Sequence, residues 1–166
     1  MKTIFLIGFM GSGKSSIGEA LAKQINKPSL DSDKLVEEVN QETIPAIFNR
    51  EGEAGFRVKE TSALERAAMK DAVISTGGGI VERPQNKVIM NQNGIIIYLH
   101  TAFETIVDRL KEDETRPLWN QDLEKRKALY EKRLPRYKEW ADYVIQTDDM
   151  DVEAIVEKIN SLLMKS

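Results

Sequence analysis

The sequence predicts an α/β fold built on a doubly wound parallel sheet. Short apolar runs rich in Ile and Val alternate with longer amphipathic stretches along the whole chain. The runs are continuously apolar rather than alternating, as strands covered on both faces require. A glycine-rich turn joins the first run to the first amphipathic stretch, which is the order strand, turn, helix.

Each element follows from its own pattern. Thr3–Ile7 is the first strand, and Ile17, Leu21 and Ile25 share one face of the helix after it. A weaker strand is expected at Ser29–Leu30. Further apolar runs at Ala72–Ser75, Ile95–Leu99 and Tyr143–Ile145 complete the strands. Near the C-terminus Val152, Ile155, Val156, Ile159, Leu162 and Leu163 form a helical stripe, with Asp148 or Asp149 as its cap. Two polar regions interrupt this pattern. Residues 40–57 contain Pro45, Gly52 and Gly55, and residues 111–122 are charged and contain Pro117. Both read as loops, either flaps over a site or plain surface connections.

Composition narrows the function. The 166 residues suit one domain with its own core, and 41% of them are hydrophobic. With 24 Lys+Arg against 27 Asp+Glu the formal charge is −3, which argues against a general nucleic-acid binder. The chain has no cysteine, so disulfides, thiolate nucleophiles and thiolate metal sites are excluded. Its one histidine, His100, reads as structural and makes a His-based triad or metal cluster improbable. No apolar stretch approaches the roughly 20 residues of a membrane span. The expectation is a cytoplasmic monomer without nucleic-acid or membrane partners.

Gly8-Phe9-Met10-Gly11-Ser12-Gly13-Lys14-Ser15 fits G-x-x-x-x-G-K-[ST] in full, between a strand and a helix. Glycines let the backbone turn its N–H groups inward, and the helix N-terminus adds partial positive charge. Lys14 can reach the β- and γ-phosphates, and the Ser15 hydroxyl can ligate Mg²⁺. The loop marks a nucleoside-triphosphate binder but leaves the second substrate open.

The acceptor side offers several candidates. Asp31-Ser32-Asp33 follows the second strand, at the end where doubly wound sheets bind ligands. These carboxylates serve a metal and a substrate hydroxyl, or they cap a helix starting at Lys34. Gly77-Gly78-Gly79 follows the third strong run and suggests close approach of a ligand, or a tight turn. Arg57, Arg116 and Arg133 are candidate anion anchors, or solvated surface charges. Glu37-Glu38 reads as a solvated helix face, and Trp119 and Trp140 read as packing residues.

In combination these segments resemble the shikimate kinase family. The segments are Gly8–Ser15, Asp31-Ser32-Asp33, Gly52-Glu53 with Phe56-Arg57, Thr76–Gly79, Arg116-Pro117-Leu118, and Arg133 with Pro135 and Tyr137. They run in the family's order over nearly the whole chain. The resemblance implies a P-loop three-layer α/β/α fold with a five-stranded parallel sheet, nucleoside monophosphate kinase-like. It implies one domain over residues 1–166, a shikimate-binding region near 33–60 and a lid near 111–122. The implied reaction is ATP-dependent phosphorylation of the shikimate 3-hydroxyl, with Mg²⁺ as cofactor.

Carried over residue by residue, Gly11, Ser12, Gly13, Lys14, Ser15 and Ser16 hold ATP, with Arg109 stacking on adenine and Arg116 reaching from the lid. Ser15 and Asp31 form the metal environment. Asp33, Arg57, Gly78, Gly79 and Arg133 bind shikimate, and Asp33, Lys14 and Arg116 carry catalysis. Ser75-Thr76-Gly77 stands where many P-loop proteins have an acidic residue, in keeping with the family. The sequence departs from the family at Asn40–Thr43, where glycine is common, at Arg136, usually leucine, and at Trp140, usually small and aliphatic. Two rival readings remain at this level, a gluconate-type sugar-acid kinase and a non-catalytic nucleotide-binding module.

Overall fold

The computed structural model describes residues 2–111 and 122–165. Five parallel strands form one sheet in the order β2-β3-β1-β4-β5. They are β1 (Thr3–Ile7), β2 (Ser29–Asp31), β3 (Val73–Ser75), β4 (Gly94–His100) and β5 (Tyr143–Gln146). The helices are α1 (Lys14–Gln24), α2 (Ser32–Asn40), α3 (Ile44–Ala68), α4 (Pro84–Asn93), α5 (Phe103–Lys111), α6 (Leu123–Trp140) and α7 (Val152–Lys165). A 3₁₀ turn, Gly78–Glu82, precedes α4.

β1 is the centre of the sheet and its five residues are all buried. Successive side chains point to opposite faces, so Phe5 and Ile7 enter one core while Ile4 and Leu6 enter the other. The first core packs β1 and β4 against α3, α4, α5 and α6 through Leu64, Met90, Ile106 and Tyr137. The second packs α1 and α7 through Ile17, Leu21, Ile155 and Ile159. Helices therefore cover both faces, and a fully apolar strand is stable only under such cover. The chain leaves β1 toward β3 and β2, then crosses to β4 and β5 on the other side. Such a reversal opens a crevice beyond the carboxyl ends of the central strands.

Residues 40–57 are not a loop, contrary to the expectation from their polar composition. Thr43 caps α3 by accepting a hydrogen bond from Ala46 N, and Pro45 sits in the first turn, where its missing N–H costs nothing. The helix is bent at Gly52, whose φ is 74°. A Cβ there would meet nothing within 4 Å, so backbone conformation rather than space requires the glycine. The bend lets one polar sequence run along the surface and then turn Phe56 into a small core with Val36 and Ile47. Glu37 is not merely solvated either, since its Oε2 accepts from Ile44 N at 2.8 Å and ties α2 to the start of α3. Gln41, within the stretch where glycine was expected, takes a left-handed conformation with φ of 51°.

Two further expectations change. The α7 cap is Asp151, whose Oδ1 accepts from Ala154 N at 2.8 Å, and not Asp148 or Asp149. Asp148 instead accepts from Ala102 N and from Thr105 Oγ1 at the start of α5. The helix after β2 begins at Ser32, two residues before Lys34. His100 and Trp140 are packing residues as expected: His100 Nδ1 bonds to the Tyr98 hydroxyl at 2.9 Å, and Trp140 is buried in the first core.

Candidate active site

The phosphate loop leaves the carboxyl end of β1 and runs into α1. Gly11 and Gly13 have φ of 84° and 88°, in the left-handed region that side-chain-bearing residues avoid. Gly13 caps α1, so the loop ends with the helix N-terminal N–H groups turned toward it. Lys14 Nζ donates to Gly8 O at 2.6 Å and Phe9 O at 3.0 Å, which folds its ammonium across the loop. The Ser12 hydroxyl is buried within the loop and has no hydrogen-bond partner among the described residues. A buried polar atom of this kind is costly unless something bonds it.

Asp31 does two jobs with its two oxygens. Oδ1 caps α2, accepting from Asp33 N at 2.9 Å and Lys34 N at 3.3 Å. Oδ2 accepts from Ser15 Oγ at 3.3 Å. A hydroxyl beside a carboxylate is an all-oxygen pair, which suits a hard divalent cation that keeps several waters. Ser75 Oγ donates to Lys14 O and Thr76 Oγ1 to Leu6 O, so both hydroxyls at the end of β3 are spent on backbone.

Asp33 lies across from this pair. Its carboxylate abuts Gly77, where a Cβ would sit 2.7 Å from Oδ1. Burial first, and then the charge of Asp31, push its pKa up, while Lys14 and Arg57 oppose the shift. Asp33 therefore sits within the field of both the phosphate-loop lysine and an acceptor-side arginine. A cavity of about 410 Å³ joins Asp33 to the phosphate loop, lined by that loop, Asp31, Asp33, Gly77, Gly78 and Arg109. Its size is in the range of ligand sites. A larger cavity of about 790 Å³ lies at the opposite, amino ends of the strands, between Ile4, Ile25 and Tyr143. Lys14, Ser15, Asp31, Asp33 and Arg109 line the smaller one.

Arg57 and Arg133 meet at the glycine turn from different helices. The Arg57 guanidinium occupies the space a Cβ of Gly79 would need, and Arg133 Nη1 lies 3.5 Å from the Cβ position of Gly78. Neither arginine is a solvated surface charge, with side-chain exposures of 13% and 7%. Arg57 is paired with Glu60 at 3.0 Å and Glu53 at 3.3 Å. Glu60 is buried, and the loss of water outweighs its pairing with Arg57, so its pKa rises to about 7. Arg133 and Tyr137, one turn apart on α6, share a face, and the Tyr137 hydroxyl donates to Gly78 O at 2.6 Å.

The sequence-predicted residues Gly11, Ser12, Gly13, Lys14, Ser15, Ser16, Asp31, Asp33, Arg57, Gly78, Gly79, Arg109 and Arg133 thus cluster at one end of the sheet. Arg109, on the last turn of α5, donates to Thr147 O at 3.5 Å, on the far side of the phosphate loop from Asp33. Arg116 and Trp119, with nearly all of the expected lid at 111–122, lie outside the described residues. Sequence reasoning missed the residues that hold the arginines. Glu60 was readable only as the i+3 neighbour of Arg57. Asn86, Thr61 and Arg83 form a buried link between α3 and the 3₁₀ turn, with Thr61 Oγ1 donating to Asn86 Oδ1 at 2.8 Å and accepting from Arg83 at 2.9 Å. Nothing in their spacing marks them.

A parallel sheet with a phosphate loop beyond its central strand, facing a carboxylate, a buried arginine and a half-buried one, defines a P-loop phosphotransferase of the nucleoside monophosphate kinase-like class. Comparison with known proteins narrows this to one family. The family model described as shikimate kinase matches residues 10–164. The shikimate kinase of Sulfurihydrogenibium sp. is 41% identical over 160 residues, covering 96% of each chain. The structure of shikimate kinase from Acinetobacter baumannii in complex with shikimate matches with a TM-score of 0.90 and 36% identity, covering 99% of this chain and 94% of that one. The Aquifex aeolicus shikimate kinase matches with a TM-score of 0.85 and 35% identity, over 98% and 96% of the two chains. The chain belongs to the shikimate kinase family, and its activity is that of a shikimate kinase, an ATP-using enzyme of the shikimate pathway.

Proposed function

We propose that this kinase transfers the γ-phosphoryl group of ATP to the 3-hydroxyl of shikimate, with the phosphate loop holding ATP and Asp33, Arg57 and Arg133 holding shikimate. The observation that carries the assignment of residues is the position of Asp33, against the Gly77 turn and in the same cavity as Lys14. Shikimate has one carboxylate and three hydroxyls. Two arginines at the Gly78-Gly79 turn suit the carboxylate, and a carboxylate on the other side suits a hydroxyl.

The transfer itself needs positioning and charge stabilisation more than covalent help from the protein. The acceptor oxygen bonds to the γ-phosphorus as the bond to the β–γ bridging oxygen breaks, and the hydroxyl proton passes to Asp33. An ordinary aspartate, with pKa near 3.9, is a weak base. Burial raises Asp33 above that, toward a better proton acceptor. Lys14 and the loop N–H groups stabilise charge on the phosphates. Ser15 and Asp31 would hold Mg²⁺, which when bound neutralises phosphate charge. On the same reading Ser16 and the phosphate-loop glycines contact ATP, Arg109 stacks on its adenine and Arg116 closes on its phosphates from the lid.

The chain is read as one domain acting as a cytoplasmic monomer; among the described residues no helix is long and apolar enough to cross a membrane. Sedimentation equilibrium at assay concentration checks the monomer. The function is tested by ADP release with ATP and Mg²⁺, with shikimate, gluconate or quinate as acceptor. Release should depend on shikimate and disappear in Lys14→Ala. Release with gluconate instead would discard the acceptor assignment, and ATP binding without acceptor-dependent release would favour a non-catalytic module.

A further inference from the structure

One carboxylate near the acceptor site has no part in the chemistry above. Glu82 ends the 3₁₀ turn that begins at Gly78, and its side chain is only 18% exposed. Its Oε1 faces two arginines of α6 at once. Arg136 Nη1 donates to it at 3.0 Å, while Arg133 Nε lies 3.6 Å away, too far for a hydrogen bond. Arg133 Nε is buried and has no hydrogen-bond partner among the described residues. The other end of the same guanidinium, Nη1, lies beside Gly78, at the acceptor pocket.

A guanidinium is a planar fork with charge spread over all three nitrogens. An anion on the Nε side fixes the direction of the fork without occupying the Nη atoms. The same anion also drains the charge that a substrate carboxylate would feel. Arg136 sets the balance. It is 43% exposed, sits one turn beyond Arg133 on α6, and takes the shorter contact to the shared oxygen.

We propose that Glu82 is a positioning residue for Arg133, and that Arg136 acts through Glu82 by holding it at ion-pair distance from Arg133 Nε. The Glu82–Arg136 pair thereby sets the affinity for the acceptor carboxylate. The inference rests on the reading of Arg133 as a carboxylate anchor. Glu82 aims the fork into the Gly78 pocket. Arg136 keeps Glu82 from closing on Nε and neutralising Arg133.

The test is a double-mutant cycle of Glu82→Gln, Arg136→Leu and both together, in the full-length enzyme. It measures shikimate KM, ATP KM, kcat and Tm. Glu82→Gln should raise the shikimate KM roughly 3- to 10-fold, the effect of one partly exposed charge contact, with ATP KM and kcat within about twofold. Arg136→Leu should raise it by a smaller factor when Glu82 is present and should have no effect in the Glu82→Gln background. That loss of effect is the signature of an arginine acting only through Glu82. An unchanged or lowered shikimate KM in Glu82→Gln would overturn the proposal, since a fall would mean that Glu82 only drains the charge of Arg133. So would an equal effect of Arg136→Leu in both backgrounds, or equal changes in the KM of both substrates. Arg133→Ala is the control. If it leaves shikimate KM unchanged, the anchor reading falls and takes the inference with it; if it raises KM while Glu82→Gln does not, the inference alone fails. Where a variant has lowered Tm, shikimate Kd by titration calorimetry below the transition gives the same comparison on folded protein.

Discussion

The two halves of the active site are built in opposite ways. On the proposed reading the phosphate-binding part of the nucleotide half is one contiguous segment, Gly8–Ser15, built largely from backbone: left-handed glycines and a helix N-terminus. The proposed acceptor half is made of side chains from α2, α3, the 3₁₀ turn and α6, brought together from positions as far apart as 33 and 133. Its arginines are largely withdrawn from solvent and sit beside other charges, Arg57 by Glu60 and Glu53, and Arg133 near Glu82. A backbone cradle recognises what all triphosphates share. A cage of side chains can be retuned one substitution at a time, which on the proposed reading places substrate choice there.

Mutations can break or sharpen this contrast. The largest effect is expected at Lys14→Ala, which should lower kcat roughly 10³-fold, at the upper end for loss of one preorganised donor to transition-state charge. Shikimate binding measured by calorimetry should be nearly unchanged, and a parallel loss of shikimate affinity would mean that the halves are not separable. Asp33→Asn comes next, because Asp33 stands at the seam. Its kcat should fall roughly 10²-fold or more with Tm preserved, and near-normal turnover would remove Asp33 from the proton transfer. Arg57→Ala and Arg133→Ala should each raise the shikimate KM about 10- to 150-fold with ATP KM little changed, in line with about 1.5–3 kcal/mol per charge-assisted contact. A rise confined to ATP KM would place that arginine in the wrong half.

The smallest effect is a pH dependence of stability. Burial raises the Glu60 pKa to about 7 from the usual 4.5. The folded state then holds this proton more tightly than the unfolded state. The associated stability is fully present below about pH 4.5 and is lost as pH rises through about 7. Glu60→Gln removes that loss, so the variant's Tm should gain on the wild type between pH 5 and pH 8. A difference that stayed constant or shrank would show that Arg57 keeps Glu60 ionised.

The same contrast explains what could be read from sequence. The phosphate loop was legible because its parts are adjacent, and β1 because Ile4–Ile7 is apolar at every position on both faces. Asp33, Arg57 and Arg133 were legible only through their resemblance to a family pattern, since each by itself also reads as a cap or a surface charge. Residues 40–57 were misread because helix α3 has a polar outer face and two of the usual helix breakers. Pro45 sits in the first turn, where proline is tolerated, and Gly52 marks a bend rather than an end. Asn86 and Glu82 were invisible because their roles depend on contacts across 20 to 60 residues, such as Thr61 to Asn86 and Glu82 to Arg136.

Asp31 has a consequence for how such an enzyme can change over evolutionary time. One of its oxygens starts a helix and the other faces Ser15. Asparagine keeps an oxygen able to cap the helix, so Asp31→Asn would preserve the fold while removing the negative charge beside Ser15. Aspartate and asparagine codons differ by a single base. If Asp31 serves the metal as proposed, a duplicated copy of this gene stands one transition away from a folded descendant with impaired catalysis, and a scaffold that sheds activity without shedding structure is raw material for a new role.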